Sequence, residues 1–150
     1  MSDQNRYNSN TKLQAKYCFV CGSENQRGLR IPFYFDGKQV LTEFIPRPEY
    51  CGFDDKVHGG ILFSLADEAM MHLIWASGLR AITAEVTIRY HDYASINEKI
   101  RLTAGLVETG KKLIKAECRI FDDTGRKIAT AKGKFLPFFG DDKELFKKSF

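Results

Sequence analysis

Residues 60–77 are apolar at almost every position, without the polar stripe that a surface helix shows. The apolar members are Ile61, Leu62, Phe63, Leu65, Ala66, Ala69, Met70, Met71, Leu73, Ile74 and Trp75. This pattern predicts one long helix that is buried on most sides. Gly78 follows it and suits the C-terminal cap, because glycine readily adopts the positive φ angle that such caps require.

Four stretches after this helix alternate apolar and polar residues with the period of two that is typical of β-strands. They are ITAEVTIRY, KIRLTAGLVE, LIKAECRIF and RKIATAKGKFLPF, and turn residues such as Thr109-Gly110 and DDTG separate them. The pattern predicts an antiparallel meander. Upstream of the helix, LRIPFYF and KQVLTEFI flank Asp36-Gly37, a dipeptide that favours a tight hairpin turn, so two further antiparallel strands are expected there.

One buried helix and six strands leave few arrangements, because a helix that is apolar all round needs a sheet curled about it. We therefore predict an α+β chain with a hotdog fold: a curled antiparallel sheet of five to six strands around one long central helix. We place this single domain at residues 29–138. A polar N-terminal extension, residues 1–28, precedes it and is expected to hold a short helix around residues 11–16. The C-terminal tail covers residues 139–150. Its last ten residues, DDKELFKKSF, have the pattern of a short amphipathic helix.

Composition adds limits on location and partners. The 150 residues are 43% hydrophobic and 28% charged, which suits one globular domain. Asp67 and Glu68 break the longest apolar run, and the N-terminal MSDQNRYNSN has no apolar core, so we expect no membrane span, no secretory signal and a cytoplasmic location. The 23 basic and 19 acidic residues are spread along the chain, so the net charge of +4 does not indicate nucleic-acid binding.

Two of the four cysteines have a spacing that occurs in metal and redox sites. Cys18 and Cys21 form a CxxC motif, but a zinc site usually needs two further ligands. Cys51 could supply a third, whereas Cys118 lies in an alternating strand where a small apolar residue fits. No βαβ pattern follows the CxxC, which argues against a thioredoxin-type site. We therefore expect free thiols in a reducing compartment and no bound metal.

The stretch VHGGILFSLADE at residues 57–68 carries the candidate chemistry. His58, Gly59 and Gly60 stand where a loop enters the helix, so backbone N–H groups there lack helical partners and suit a developing oxyanion. Glycine also lets a substrate carbonyl approach the backbone closely. The alternative is that the glycines only allow a tight entry and His58 caps the helix. Asp67, inside the apolar stretch, is either a working acid or a buried acid satisfied by a neighbour.

The segments CFVCG, GL, HGGILFSLADEAM and ITAEVTIRY, in this order, resemble the hotdog-fold acyl-CoA thioesterases of the phenylacetate-degradation (PaaI-like) type, over residues 18–137. The resemblance implies hydrolysis of acyl-CoA thioesters by a homodimer or a dimer of dimers. It implies that the Gly59 N–H polarises the thioester carbonyl with His58 beside it. Asp67 would be the general base or the nucleophile, and Thr83 would orient the water or the acid.

Further residues are candidates for contact with the substrate, a small-to-medium or aromatic acyl-CoA. Coenzyme A is then part of the substrate, and no separate cofactor is expected. Gly60 lies beside the oxyanion donor, and Glu68, about 100° round the helix from Asp67, is interpreted as a structural or interface acid near the substrate. Arg89 and Lys112 are basic groups that could bind the CoA phosphates, although spacing alone identifies neither.

Helix geometry predicts that the active site is shared between subunits. Gly60 and Asp67 are seven residues apart, which is about 10 Å of rise on one helix, so one thioester cannot touch both. If both serve one reaction, Asp67 faces the HGG of another subunit. Two other functions stay open: a hotdog dehydratase or hydratase with His58 and Glu68, and a non-catalytic binder of acyl-CoA or aromatic ligands. The binder is favoured by Cys51-Gly52, which stands where relatives often have Asn or Gln.

Overall fold

A computed structural model describes residues 11–138. Its strands are β1 (Thr11–Leu13), β2 (Phe33–Phe35), β3 (Val40–Phe44), β4 (Ala81–Tyr90), β5 (Ile100–Thr109), β6 (Ile114–Asp122) and β7 (Lys127–Pro137), and its long helix is α1 (Gly59–Ala76). A short 3₁₀ helix spans Pro48–Tyr50. The predicted amphipathic helix of the C-terminal tail lies outside the described residues.

The strands form one antiparallel sheet that curls around α1, so the predicted α+β architecture is confirmed. Its order is β1-β2-β3-β5-β6-β7-β4. The sheet has seven strands in the described residues rather than five to six, because β1 comes from the segment that was expected to be an extension.

The expected helix around residues 11–16 is wrong. Residues 12–15 alternate between exposed and buried side chains, with Leu13 and Ala15 inside, which is the period of a strand. The start of this segment satisfies its backbone by pairing antiparallel with β2, Leu13 opposite Phe33. After β1 the chain stays against the domain, with Val20 and Cys21 buried.

The four-strand meander is only partly correct. Strands β5, β6 and β7 follow one another as hairpins, but β4 pairs with β7 and not with β5. The edge of β5 that β4 would have taken is occupied by β3. The nine residues between β4 and β5 are long enough to carry the chain across, so β4 becomes an edge strand.

The hairpin at Asp36-Gly37 is confirmed. Gly37 has a φ of +99°, and the Asp36 carboxylate accepts hydrogen bonds from the N–H groups of Lys38 and Gln39 at 2.8 and 2.7 Å. These two bonds lower the pKa of Asp36. Strand β2 is shorter than LRIPFYF, but Leu29 and Ile31 in the same stretch are still buried.

Helix α1 is the centre of the core. Its buried residues are Leu62, Leu65, Ala66, Ala69, Met70, Leu73, Ile74 and Ala76. They pack against the concave face of the sheet, including Phe33, Ile100, Ile120 and Phe135. No helix within residues 11–138 has the length and apolar character needed to cross a membrane.

Candidate active site

His58 is the N-cap of α1. Its Nδ1 accepts a hydrogen bond of 2.8 Å from the N–H of Gly60, two residues into the helix. The capping role that the sequence offered as an alternative for His58 is therefore present in the structure. The same bond engages the Gly60 N–H, so this group does not point freely at a ligand.

Tyr90 holds the other side of the same peptide group. Its hydroxyl donates a 2.7 Å hydrogen bond to the carbonyl oxygen of Gly59, which belongs to the peptide bond whose N–H His58 binds. Burial raises the pKa of Tyr90, which keeps its hydroxyl protonated as a donor. Tyr90 was not among the residues that the sequence indicated. The alternation of β4 could have indicated it: Tyr90 follows Val86 and Ile88 at a spacing of two, so its side chain lies on the same face of the strand, towards the helix.

The Gly59 N–H remains as the helix-terminal donor without an acceptor among residues 11–138. It stands at the positive end of the helix dipole, next to the peptide that His58 and Tyr90 fix. A Cβ added at Gly59 would lie 3.3 Å from the Tyr90 ring and hydroxyl, so glycine leaves room on this side of the backbone. The fixed peptide holds the Gly59 N–H in place, so this donor suits an oxyanion better than a glycine N–H in an unrestrained loop would.

Asp67 lies two turns further along α1 and faces β4. Its Oδ1 accepts a 3.0 Å hydrogen bond from Oγ1 of Thr83, so the structure brings these two predicted residues together. The register of β4 against β7 shifts between Thr83 and Glu85, which marks an irregularity in the edge strand at this point. Burial raises the pKa of Asp67; the Thr83 bond opposes this and the charge of Glu68 adds to it.

Gly59 and Asp67 stand on the same helix, eight residues and about 12 Å of rise apart. One thioester cannot reach both within a single chain. Each chain therefore holds two separate sets of candidate side chains: the donor group at His58, Gly59 and Tyr90, and the acid group at Asp67 and Thr83.

Glu68 points away from Asp67, towards the segment that follows β1. The Cys18 thiol donates to its Oε1 at 3.0 Å, and Nε2 of His72 lies 3.1 Å from the same oxygen without the alignment of a hydrogen bond. Burial raises the pKa of Glu68, but the adjacent His72 imidazole and the cysteine thiols more than offset it, so the pKa lies below its ordinary value. The structure does not place Glu68 with the acid group.

Arg89 and Lys112 lie away from both groups within one chain. Arg89 is exposed on the outer face of β4, opposite Thr130 and across the sheet from α1. It borders an open groove with Arg119 and Lys132. Lys112 is exposed in the turn between β5 and β6.

Cys51 and Gly52 occupy the strand-like loop beside the helix entry. Cys51 is exposed and pairs with Val57 in an isolated bridge, and a Cβ at Gly52 would lie 3.1 Å from the His58 Cα. The backbone at these positions therefore borders His58, but the side chains provide no amide to hold a water.

The comparison with protein families agrees with this geometry. The family model described as the Thioesterase superfamily matches residues 55–129, which hold the helix entry, Asp67 and most of the sheet. The chain belongs to the thioesterase superfamily.

Solved structures share the fold at low sequence identity. A thioesterase superfamily protein superposes with a TM-score of 0.77 and 23% identity, over 81% of this chain and 60% of that one. The E. coli PaaI protein of the phenylacetic acid degradation operon gives a TM-score of 0.64 and 24% identity, over 68% of this chain and 74% of that one. A hypothetical thioesterase of Streptococcus pneumoniae TIGR4, solved with coenzyme A, gives 0.65 and 19%, over 67% and 79%.

A curated protein of Archaeoglobus fulgidus, named "Putative esterase", is 33% identical over 92 residues. The match covers 61% of this chain and 60% of that protein, so the chain spans less than two thirds of the length of this relative.

Proposed function

We propose that this chain is an acyl-CoA thioesterase that hydrolyses small-to-medium or aromatic acyl-CoA. One observation carries the proposal: His58 and Tyr90 fix the Gly59–Gly60 peptide from both sides and leave the Gly59 N–H as a donor at the start of a buried helix. A preorganised donor of this kind stabilises the oxyanion that forms when a thioester carbonyl is attacked. Membership of the thioesterase superfamily supports the reaction class.

The working acid in this proposal is Asp67. Its carboxylate either takes a proton from the attacking water or attacks the carbonyl itself, and the CoA thiol leaves in both cases. Thr83 holds Oδ1, which leaves Oδ2 for the water or the substrate. Half-burial beside a single hydroxyl donor also keeps this carboxylate more basic than an ordinary aspartate.

The substrate site is proposed to form between two copies of the chain, in a homodimer or a dimer of dimers. Strand β4 is the edge of the sheet over ten residues, paired on one side with β7 and with no strand on its other side within residues 11–138. A long edge that exposes Ile82 and Tyr90 favours pairing with a second copy. The donor group of one chain would then meet the acid group of the other.

The remaining assignments belong to the same proposal. Coenzyme A enters as part of the substrate, and Arg89 and Lys112 stay candidates for its phosphates only if a second chain brings them to the site. A cytoplasmic location stays a prediction. The dehydratase or hydratase alternative is weaker, because His58 uses Nδ1 to cap the helix and Glu68 faces elsewhere.

The test is thiol release from short, long and aromatic acyl-CoA esters by wild type and by Asp67→Asn. This substitution keeps the side-chain volume and removes the charge. We expect wild-type turnover on part of the panel and a fall of at least about a hundredfold in the variant, about 2.7 kcal/mol of barrier. Asp123→Asn, an exposed aspartate in the β6–β7 turn, is the matched control and should keep wild-type rates.

Equal rates in wild type and Asp67→Asn would place the chemistry at another residue. Saturable binding of acyl-CoA without turnover would instead favour the non-catalytic binder, which the missing amide at Cys51-Gly52 supports. Hydration of an unsaturated acyl-CoA without thiol release would identify the hydratase alternative.

A further inference from the structure

A second cluster of reactive side chains lies around Glu68, about 100° round α1 from Asp67 and its partner Thr83. The two sulfur atoms of the CxxC motif and a carboxylate oxygen of Glu68 all lie within 4.8 Å of one another. Both cysteines are free thiols. The thioesterase mechanism proposed above uses none of these three groups, so their meeting needs its own explanation.

The turn that carries the two cysteines is built tightly. The Cys21 N–H points at Sγ of Cys18 at 3.5 Å, and the Ala15 N–H donates to Sγ of Cys21 at 3.2 Å. A Cβ at Gly22 would lie 2.5 Å from the backbone N and O of Cys18, so only glycine fits there. Backbone N–H groups that point at both sulfur atoms stabilise thiolates, the form in which cysteine binds metals.

Glu68 completes the cluster from the helix. Its Oε1 lies 3.0 Å from Sγ of Cys18, and its side chain is only 18% exposed. The Nε2 atom of His72 is buried, has no hydrogen-bond partner within residues 11–138 and lies 3.1 Å from Oε1 of Glu68. A half-buried carboxylate, two thiols and an imidazole therefore lie in one cluster, and these are the ligand types that zinc prefers.

We propose that Cys18, Cys21 and Glu68 bind a zinc ion that fastens the N-terminal segment to the central helix. Zinc prefers thiolate, imidazole and carboxylate ligands in a tetrahedral arrangement. With Zn–S bonds of about 2.3 Å and Zn–O bonds of about 2.1 Å, the two sulfur atoms and the oxygen of such a site are roughly 3.6 to 3.8 Å apart. The Cys18 Sγ and Glu68 Oε1 atoms are 3.0 Å apart and all three ligand atoms lie within 4.8 Å of one another, so side-chain movements of about 1 Å complete the site.

Charge and proton balance agree with a divalent cation. Two Zn–S bonds and one Zn–O bond form, and the two thiol protons pass to solvent. Cys18, Glu68 and His72 line a cavity of about 370 Å³ between the N-terminal segment and α1, so the proposed ion would border this cavity. A water molecule can therefore reach the ion.

The first experiment is a titration of the reduced, metal-free full chain with Co²⁺, followed by displacement with Zn²⁺. We expect one Co²⁺ per chain with intense thiolate-to-cobalt charge-transfer absorption, which Zn²⁺ abolishes. Cys18→Ser and Cys21→Ser should lose this absorption, and Glu68→Gln should bind Co²⁺ at least about tenfold more weakly. Cys51→Ser is the matched control, because Cys51 is an exposed thiol outside the cluster. It should bind like wild type.

A second measurement needs no variant. Alkylation of the wild-type chain, mapped by mass spectrometry, should show that Zn²⁺ protects Cys18 and Cys21 while Cys51 reacts at an unchanged rate. The proposal is overturned if Co²⁺ gives no charge-transfer absorption, if the absorption survives in Cys18→Ser, or if Zn²⁺ protects neither thiol. A Cys18–Cys21 disulfide that forms in air, together with no metal uptake after reduction, would also overturn it. Loss of thioesterase activity plays no part in either readout, so this test is independent of the proposed function.

Discussion

Thr83 of β4 donates its hydroxyl to Oδ1 of Asp67 across 3.0 Å, whereas the next residue, Glu68, turns to the Cys18 thiol on the other side of α1. The two carboxylates are neighbours in sequence but differ by about 100° around the helix axis. They therefore meet different partners. Burial raises the pKa of Asp67, while the partners of Glu68 bring its pKa below the ordinary value. Asp67 and Glu68 thus belong to two different groups of side chains.

We predict that Thr83→Val lowers kcat about tenfold with little change in KM. Valine keeps the shape but removes the donor that fixes Oδ1 of Asp67, and a hydrogen bond to a charged group at a partly exposed position is worth about 1.4 kcal/mol. Steady-state thiol release measures the effect. Thr83→Ser is the matched variant and should restore most of the rate. A Thr83→Val variant that keeps the wild-type rate, together with a loss in Thr83→Ser, would show that the methyl group matters and the hydroxyl does not.

We predict that Tyr90→Phe lowers kcat several-fold and the free energy of unfolding by about 1 kcal/mol. The substitution keeps the ring and removes the hydroxyl that holds the Gly59 carbonyl, so the peptide next to the oxyanion donor gains freedom. Tyr93→Phe is the control, since this ring contacts the cations of Lys56 and Arg126 through its face. A Tyr90→Phe variant that loses stability but keeps its kcat would separate the hydroxyl from catalysis.

The fold could be predicted largely because its signals are local. The apolar run of α1 and the alternation in β5 to β7 appear directly in the order of residues, and the Asp36-Gly37 turn needs only four neighbouring positions. The failures concern long-range choices. Sequence periodicity does not show which neighbour a strand pairs with, so the pairing of β4 with β7 was not predicted. Strand β1 was not predicted for another reason: its three residues are too few to show a clear period.

The candidate site shows the same difference between local features, which the sequence predicts, and long-range contacts, which it does not. The sequence indicated His58, Gly59 and Asp67 because the motif is contiguous, and the structure adds the contacts that make sense of it. Tyr90 was missed since it lies 31 residues from Gly59. Glu68 was placed near the substrate because nothing in the sequence shows that a helix residue and a cysteine 50 positions earlier are in contact.

We predict that Asp122→Asn destabilises the fold at neutral pH and much less in acid. The Asp122 carboxylate accepts bonds from Thr124 and Arg126, and these lower its pKa in the folded state. A lowered folded-state pKa adds stability above the unfolded-state pKa of about 3.9, and this is lost as the pH falls through the folded-state value. The Tm difference from wild type should therefore narrow below about pH 4. Asp123→Asn changes an exposed neighbour, and its Tm should differ little from that of wild type both at neutral pH and in acid.

The last prediction concerns the two halves of the site. Gly59→Val crowds the oxyanion donor against Tyr90, and Asp67→Asn removes the acid, so each homodimer should be inactive. A hybrid dimer of the two variants, purified through two different affinity tags, has one site with both halves intact if the site is shared. It should show about half of the wild-type activity per dimer.

The reciprocal hybrid decides between a shared and a separate site. It joins a wild-type chain to a chain that carries both Gly59→Val and Asp67→Asn. Both hybrids thus carry the same two substitutions per dimer and differ only in whether these lie on one chain or on two. In a shared site, each of its two sites contains one damaged half, and the hybrid should be inactive. If the site lies within one chain, this second hybrid keeps about half of the activity and the first has none. The roughly 12 Å between Gly59 and Asp67 along α1 predicts the former result, since a single thioester group cannot span that distance.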